Sequence, residues 1–389
     1  MKTLALNTIV GPGESDNLLE CLQTVDAKNF FDEIVICYTY ELSKFNEDRS
    51  KLDEYLEQIN NLTLCNYCWI SDRYPYGNFA AARNTCIDNT TSDFIMWLDC
   101  DDRIKCSEAL FNLKRQVLSS DRDFIMMGYL INEREPGKFS TRFLKERISR
   151  NDKNIRWMHP VHEQLDLHTT NKMANIEGLD IEHARKKDPL ISIERNLKIL
   201  DHELKVEPTQ HSYLFHANEM LSKYRNTKNE DDLKQALKEM RTCIDFRYAN
   251  DENLAMMCYT IAEYSLDNLF EAEIYANLAL SFSENYAETH CILGEIFMDK
   301  KEEDKAIYHY KKAMKKKLNG MSFQSPYYYE EFPSRRLIEI FTKRQEIELA
   351  LWYSKLVLRH APHYKDMLNF RNEALSYLTK ENEKWLTTA

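Results

Sequence analysis

Glycine and proline are scarce in this chain: 8 glycines and 9 prolines among 389 residues. That excludes an architecture rich in long coils and suits a helix-rich protein. Long apolar runs are missing as well. The segment Met1–Val10 is too short for a signal peptide or a membrane span, so a cytoplasmic protein is expected. Excess positive charge is also absent. With 52 Lys and Arg against 63 Asp and Glu, the net charge of −11 argues against a whole-surface nucleic-acid binder and leaves room only for a local basic patch. The ten cysteines contain one C-x-x-C, at Cys65 and Cys68, with no second pair at zinc-finger spacing. Free thiols in a reducing compartment are expected.

What is present describes a globular chain of two or three domains, 43% hydrophobic and 30% charged. The first half alternates strand-like and helix-like segments. Strands are predicted at Leu4–Val10, Glu33–Tyr40, Leu62–Ile70, Phe94–Leu98, Phe124–Ile131 and Phe143–Ser149. Helices are predicted at Asn17–Val25, around Lys51–Ile59, at Phe79–Asp88 and at Ser107–Leu118, the last with Ser107 as N-cap and Glu108 in its first turn. Such alternation implies an α/β domain: an open, mostly parallel sheet covered by helices. Ligands of such sheets bind beyond the carboxyl ends of the strands.

One strand end carries the chemistry. The run Phe94-Ile-Met-Trp-Leu98 stops at Asp99-Cys-Asp101-Asp102. Adjacent carboxylates repel one another and resist burial, so a buried strand has no local use for them. A hard divalent cation, Mn²⁺ or Mg²⁺, is the natural partner of such a group. The alternative is a solvated acidic loop.

After about Leu190 strand signals largely stop and a repeat appears. Ala272, Ala276 and Ala279 are matched by Ala306, Tyr310 and Ala313, each 34 positions on (306 − 272 = 34). Gly294-Glu-Ile-Phe297 supplies the small and aromatic positions of the paired helix, and Ala350, Val357 and Pro362 form a third copy after an insertion near Tyr327–Pro333. This is the period of tetratricopeptide helix pairs. The expected division is therefore 1–190, α/β, and 191–389, an all-α tetratricopeptide-like domain. An ordinary helical bundle is the competing reading.

Several motifs together resemble a family-2 glycosyltransferase with the GT-A fold. Asn7-Thr-Ile-Val10, with Glu14 and Leu18-Leu-Glu-Cys-Leu, resembles that family's first strand and helix. Asn78-Phe-Ala-Ala-Ala-Arg83-Asn84 resembles its F-x-x-A-R-N helix start, and Ser92–Asp102 its strand ending in D-x-D-D. Arg142-Phe followed by Ile155-Arg-Trp-Met-His-Pro-Val161-His162-Glu163, then Ile181-Glu-His183, resembles one subgroup, which includes bacteriocin S-glycosyltransferases and carries a tetratricopeptide-like tail. The chain departs from the family after the second strand, where Cys37-Tyr-Thr-Tyr-Glu-Leu-Ser-Lys44 replaces a loop near the nucleotide.

The resemblance implies a nucleotide-sugar donor, a UDP-sugar, and transfer with inversion. It places Asp101 on the metal and Asp99 on metal or ribose. Asp102, Arg83 and Val10 fall to the donor, and His183 to the metal. A guanidinium at Arg83 complements phosphate oxygens, or else forms a helix–sheet ion pair. Glu163 is the expected base, needed because an attacking acceptor must lose a proton; its alternative is a salt bridge to Arg142, Arg147 or Arg156. His162 is expected to bind diphosphate or metal, or to hold Glu163. The basic run Arg142, Lys145, Arg147, Arg150, Lys153 and Arg156 reads as a solvated face or a contact for an anionic acceptor. Acceptor candidates are a peptide or protein, a glycan, or modified nucleic acid. The tail is expected to select the acceptor through Tyr and Lys residues at Tyr308–Lys317 and Tyr327–Tyr329, or to make a homodimer. A non-catalytic scaffold and a nucleotidyltransferase are the rival functions. The latter calls for a glycine-rich phosphate loop, and Gly11-Pro-Gly13 is too short for one.

Overall fold

The computed structural model describes every residue except 1, 41–44, 105–106, 120, 136–137, 167–171, 185–187, 319–323 and 389. The Glu41–Lys44 part of the departing loop therefore lies outside the described residues, as do the side chains of Ser107 and Glu108. The chain forms two compact units, Met1–Glu239 and Met240–Ala389. The change from strands to helices comes earlier than this division, at Pro189.

In the first unit the elements run β1 (Leu4–Val10), α1 (Ser15–Thr24), α2 (Ala27–Phe30), β2 (Glu33–Tyr38), α3 (Ser50–Leu56), β3 (Leu62–Asn66), α4 (Phe79–Asp88), β4 (Phe94–Trp97), β5 (Asp102–Arg103), α5 (Ser107–Ser119), β6 (Phe124–Glu135), β7 (Lys138–Arg150), β8 (Trp157–Met158), β9 (Gln164–Leu165) and β10 (Met173–His183). Helices α6 (Pro189–Val206), α7 (Gln210–Thr227) and α8 (Glu230–Asp245) follow, and the boundary between the units falls inside α8. Strand β1 is buried at every position, as its unbroken apolar sequence predicts for a central parallel strand.

The eight-stranded sheet has the order β3-β2-β1-β4-β7-β6-β10-β5. Its β3-β2-β1-β4 half is parallel. The expectation of a mostly parallel sheet fails in the other half, where β7 runs antiparallel to both β4 and β6. The reason is local: β6 and β7 are consecutive arms of one hairpin, and a short connection permits only antiparallel pairing. Strand β10 returns parallel to β6, and its last residues pair antiparallel with β5, setting His183 opposite Asp102.

Close backbone approach is needed at Gly128 of β6. A Cβ there would stand 1.9 Å from Asp180 Oδ1, inside the Arg142–Asp180 ion pair that lies across the strand.

The second unit is all-α: α9 (Asp251–Glu263), α10 (Leu269–Phe282), α11 (Ala287–Asp299), α12 (Glu303–Ala313), a 3₁₀ turn at Pro326–Tyr328, α13 (Glu331–Lys343), α14 (Ile347–His360) and α15 (Lys365–Thr388). Helix α9 packs on α10, α11 on α12, and α13 on α14. The 34-residue offset is structural: Ala272, Ala276 and Ala279 of α10 and Ala306, Tyr310 and Ala313 of α12 are all fully buried. Gly294 of α11 makes room for the Tyr310 ring, which a Cβ would approach to 2.3 Å. Tyr310 and Tyr329 are therefore core residues and not surface ones, whereas Tyr308 is exposed. An α/β domain is thus followed by an all-α domain. Among the described residues no helix is long and apolar enough to cross a membrane.

Candidate active site at the strand ends

The acidic segment leaves β4 at the carboxyl end of the parallel half-sheet, and its three carboxylates take three different environments. Asp102 is fully buried. Its Oδ2 accepts from the Arg147 guanidinium at 2.9 Å and from the Asp99 N–H at 3.0 Å, and its Oδ1 accepts from the Tyr129 hydroxyl at 2.9 Å. Asp99 turns to Arg83, Oδ1 to Nη2 at 2.6 Å. Asp101 stays partly open, 3.5 Å from His183 Nδ1. Cys100, between them, points away and donates to Glu14.

The late-chain histidine arrives through the β5–β10 pairing, fastened by Ala184 N–H donating to the Asp101 carbonyl at 2.8 Å. The Tyr129 hydroxyl joins His183 Nδ1 at 3.0 Å to Asp102. Asp101, Asp102 and His183 present one ligand atom each within 4.8 Å of one another. Oxygen and imidazole nitrogen suit a hard or borderline divalent cation. With Asp102 neutralised by Arg147, Asp101 and His183 are its open members. Burial pushes the Asp101 carboxyl up to about 6; His183 opposes this, and Asp99, Asp102 and Glu14 add to it. A carboxylate disfavoured by burial and like charge gains from a bound cation. Burial lowers the His183 pKa, but Asp102 and Asp101 outweigh it and hold the ring above its ordinary value.

A second constellation adjoins the first. Arg83, on the first turns of α4, is buried and grips two carboxylates: Asp99, and Glu163 through Nε at 2.6 Å. Its guanidinium lies over Trp97 and Trp157, 4.5 and 5.1 Å from the ring centroids. Arg83 thus faces protein carboxylates and not open solvent. Of the partners expected for Glu163, none is used: Arg142 pairs with Asp180, Arg147 with Asp102 and Arg156 with Asp88. Burial would raise the Glu163 carboxyl, but Arg83 and Lys145 outweigh it and hold it below the ordinary glutamate range. Asp99 is likewise held low, with burial overcome by Arg83, Arg147 and Lys145.

Glu163 sits at the tip of the small β8–β9 hairpin. Two residues of the tip, His159 and His162, have positive φ of 69° and 52°. Such backbone costs about 1–3 kcal/mol per residue and persists only where the surroundings over-determine it. They do so here. Helix α4 supplies Phe79 N–H to the Pro160 carbonyl at 2.8 Å and the Asn84 amide to both backbone groups of Trp157. Helices α6 and α7 supply the rest. Val161 packs on Ile199 and Leu200, His159 stacks on His211 at 3.7 Å, and His211 Nε2 meets the His162 carbonyl at 3.0 Å. The His162 ring stacks on Phe215 and bonds Glu219 Oε1 at 2.8 Å, which also accepts from Asn196. The His162 ring thus turns to α7, beside Glu163 in sequence, and is not part of the Asp101–Asp102–His183 group. Val10 ends β1 with its side chain in the core and its carbonyl accepting from Thr39.

The basic run does not form one face: Lys153 is exposed and Arg142, Arg150 and Arg156 are partly exposed, whereas Lys145 and Arg147 turn inward. Arg147 is fully buried between Trp97 and Tyr129, 3.8 and 4.1 Å from their ring centroids. Lys145 lies 5.0 Å from the Trp97 centroid. The β6–β7 ladder passes from Met126↔Glu146 to Ile125↔Ile148, which leaves Arg147 as the extra residue of a β-bulge. Bulges re-aim side chains near active sites. Trp97, Tyr129, Lys145, Arg147, Asn84 and Glu219 are the site residues that sequence reasoning did not pick out or placed elsewhere. Two cations at alternate strand positions, 145 and 147, are the one local signal that points to any of them.

No protein-family model matches the chain, and no curated protein sequence matches it. Solved structures do. The chain is similar to S. aureus TarS 1-349 at 15% identity and a TM-score of 0.36, covering 80% of this chain and 90% of that one. The same TarS fragment in complex with UDP matches at 14% identity and a TM-score of 0.35, covering 84% and 98%. A thermophilic TPR protein of Thermus thermophilus matches at 18% identity and a TM-score of 0.30, covering 48% of this chain and 93% of that one.

Proposed function

We propose that the chain is a glycosyltransferase that moves a sugar from a nucleotide-sugar, of the UDP-hexose class, to an acceptor hydroxyl, thiol or amine. The observation that carries this reading is the adjacency of an open group able to hold a cation, Asp101 and His183 with Asp102 behind them, to a half-buried carboxylate, Glu163, held at a strained hairpin tip. A cation of the Mn²⁺ or Mg²⁺ class would be held by Asp101 and His183, with Asp102 adjoining, and would supply Lewis-acid stabilisation to the departing diphosphate.

The protein's own groups do the rest. Arg147 and Tyr129 hold Asp102 in place. Arg83 orients Glu163 and Asp99 at once, so it positions both halves of the site. Glu163, kept deprotonated at neutral pH by Arg83 and Lys145, takes the acceptor's proton as the sugar carbon is attacked from the opposite side, giving inversion. The proposed catalytic groups all lie before Ala184, which leaves the all-α unit to recognise the acceptor. Its candidates remain a peptide or protein, a glycan, or modified nucleic acid.

A donor panel with Mn²⁺, scored for the nucleotide released, tests the reading. Free UDP from a UDP-sugar is the expected result. Pyrophosphate release would mean nucleotidyl transfer, and no turnover with any donor would mean a scaffold.

A further inference from the structure

Cys37, Cys65 and Cys86 come from three separate elements, β2, β3 and α4, and their sulfurs lie within 4.8 Å of one another. Cys37 and Cys65 are neighbours in the parallel β2–β3 ladder, so both project to the same side of the sheet. Cys86 meets them from α4, which covers that side together with Ile9, Val35 and Ala82. Each thiol also makes a weak contact with a backbone carbonyl: Thr8 for Cys86, Ile36 for Cys65 and Tyr38 for Cys37.

We propose that these three cysteines form a binding site for one thiophilic metal ion of the Zn²⁺, Cd²⁺ or Cu⁺ class. Thiolate is the ligand such ions prefer, whereas Mn²⁺ and Mg²⁺ prefer the oxygens at Asp101, so the two sites sort metals by chemistry. Zinc–sulfur bonds of about 2.3 Å place sulfurs about 3.8 Å apart at tetrahedral angles, so these thiols need only small shifts to close on an ion. Cys37 and Cys86 are buried and Cys65 is half-buried, which leaves one side for entry and for a fourth, exogenous ligand. The C-x-x-C partner Cys68 is exposed and is not part of the group. Cys86 is three residues beyond Arg83 on α4 (86 − 83 = 3), so a bound ion ties the helix that positions Glu163 to strands β2 and β3. The three thiols would bind their ion whether or not the chain is a transferase.

The test is a Cd²⁺ titration of the full chain, stripped of metal and kept in a non-thiol reductant, followed by the ultraviolet sulfur-to-cadmium charge-transfer absorbance. Saturation at one ion per chain is expected, with a rise in thermal midpoint that grows with Cd²⁺ concentration, as mass action requires. Cys68→Ser should bind like the parent. Cys65→Ser, at a half-buried position that tolerates the change, and Cys86→Ala should each weaken binding at least about tenfold while circular dichroism shows the fold retained. Absence of the band in the parent, an undiminished band in folded Cys65→Ser, or a band that persists in the triple alanine variant would overturn the site. If the reduced parent binds no Cd²⁺ and air oxidation instead joins Cys37 to Cys65, the group is a redox pair and the metal proposal fails.

Discussion

Arg83 and Glu163 are 80 positions apart in the chain and 2.6 Å apart in the fold. Helix α4 carries the cation and the β8–β9 tip the carboxylate, and Asn84 and Phe79 of the same helix hold that tip by its backbone. One helix therefore sets both the charge state and the location of the proposed base.

Removing the base without changing its size separates its chemical role from its structural one. Glu163→Gln should keep donor binding, while transfer falls by about two to four orders of magnitude. Isothermal titration with donor beside single-turnover transfer checks this. Loss of donor binding together with transfer would assign Glu163 a donor-holding role instead.

The two neighbouring aspartates should behave oppositely. Asp101→Asn removes an open carboxylate from a crowded acidic group, so the fold should stand while Mn²⁺-dependent UDP release disappears; excess EDTA should mimic it. Asp102→Asn strands the fully buried Arg147, and breaking such a pair costs about 3–5 kcal/mol. Denaturant midpoints of both variants, measured beside their turnover, decide. An active Asp101→Asn would end the metal assignment.

Positioning through α7 is testable at Glu219. Glu219→Ala leaves the His162 ring and the Asn196 amide without their shared acceptor, a loss of about 1.5–3 kcal/mol for bonds to a charged group. Turnover should fall more than donor affinity, because the hairpin tip loosens while Asp101 and His183 are untouched. For the same reason a chain ended after Leu190, lacking α7 and nearly all of α6, should lose transfer.

Acid should destabilise the first unit through His211. Burial, reinforced by His159, lowers its pKa from 6.5 to about 3. The unfolded chain therefore binds a proton at a higher pH than the folded chain does. This contribution to stability is complete above pH 6.5 and shrinks as pH falls from there toward 3. The stability advantage of the parent over His211→Gln, read from thermal midpoints, should therefore be largest near pH 8 and shrink as pH falls to 5.

Acceptor recognition is expected on the all-α unit. Ile274, Tyr308 and Trp352 each lie two residues after an equivalent buried alanine of α10, α12 and α14, and all three are exposed. Aromatic contacts of this kind contribute about 0.5–1.5 kcal/mol each. Tyr308→Ala and Trp352→Ala should then reduce transfer to the true acceptor by about threefold to tenfold each and spare donor hydrolysis. Equal loss of both activities would show a structural role.

The alternation of strands and helices, the limits of β1 and α4, the buried alanine register of the tail and the acid group after β4 were all legible in the sequence. The strands, helices and acid group are written in apolar runs and the spacing of near neighbours, and the tail in its 34-residue repeat, and backbone geometry converts both into structure. Partner choice was not legible. Glu163 met Arg83 and none of the three arginines close to it in sequence. Asp102 became a buried counter-ion, and a basic run that reads as surface delivered Lys145 and Arg147 inward. Those outcomes depend on β7 entering the sheet antiparallel between β4 and β6, on one bulged residue at Arg147, and on α6 and α7 closing over the hairpin tip. Pairings between charges tens of residues apart follow from sheet order and burial, and only the tertiary structure decides those.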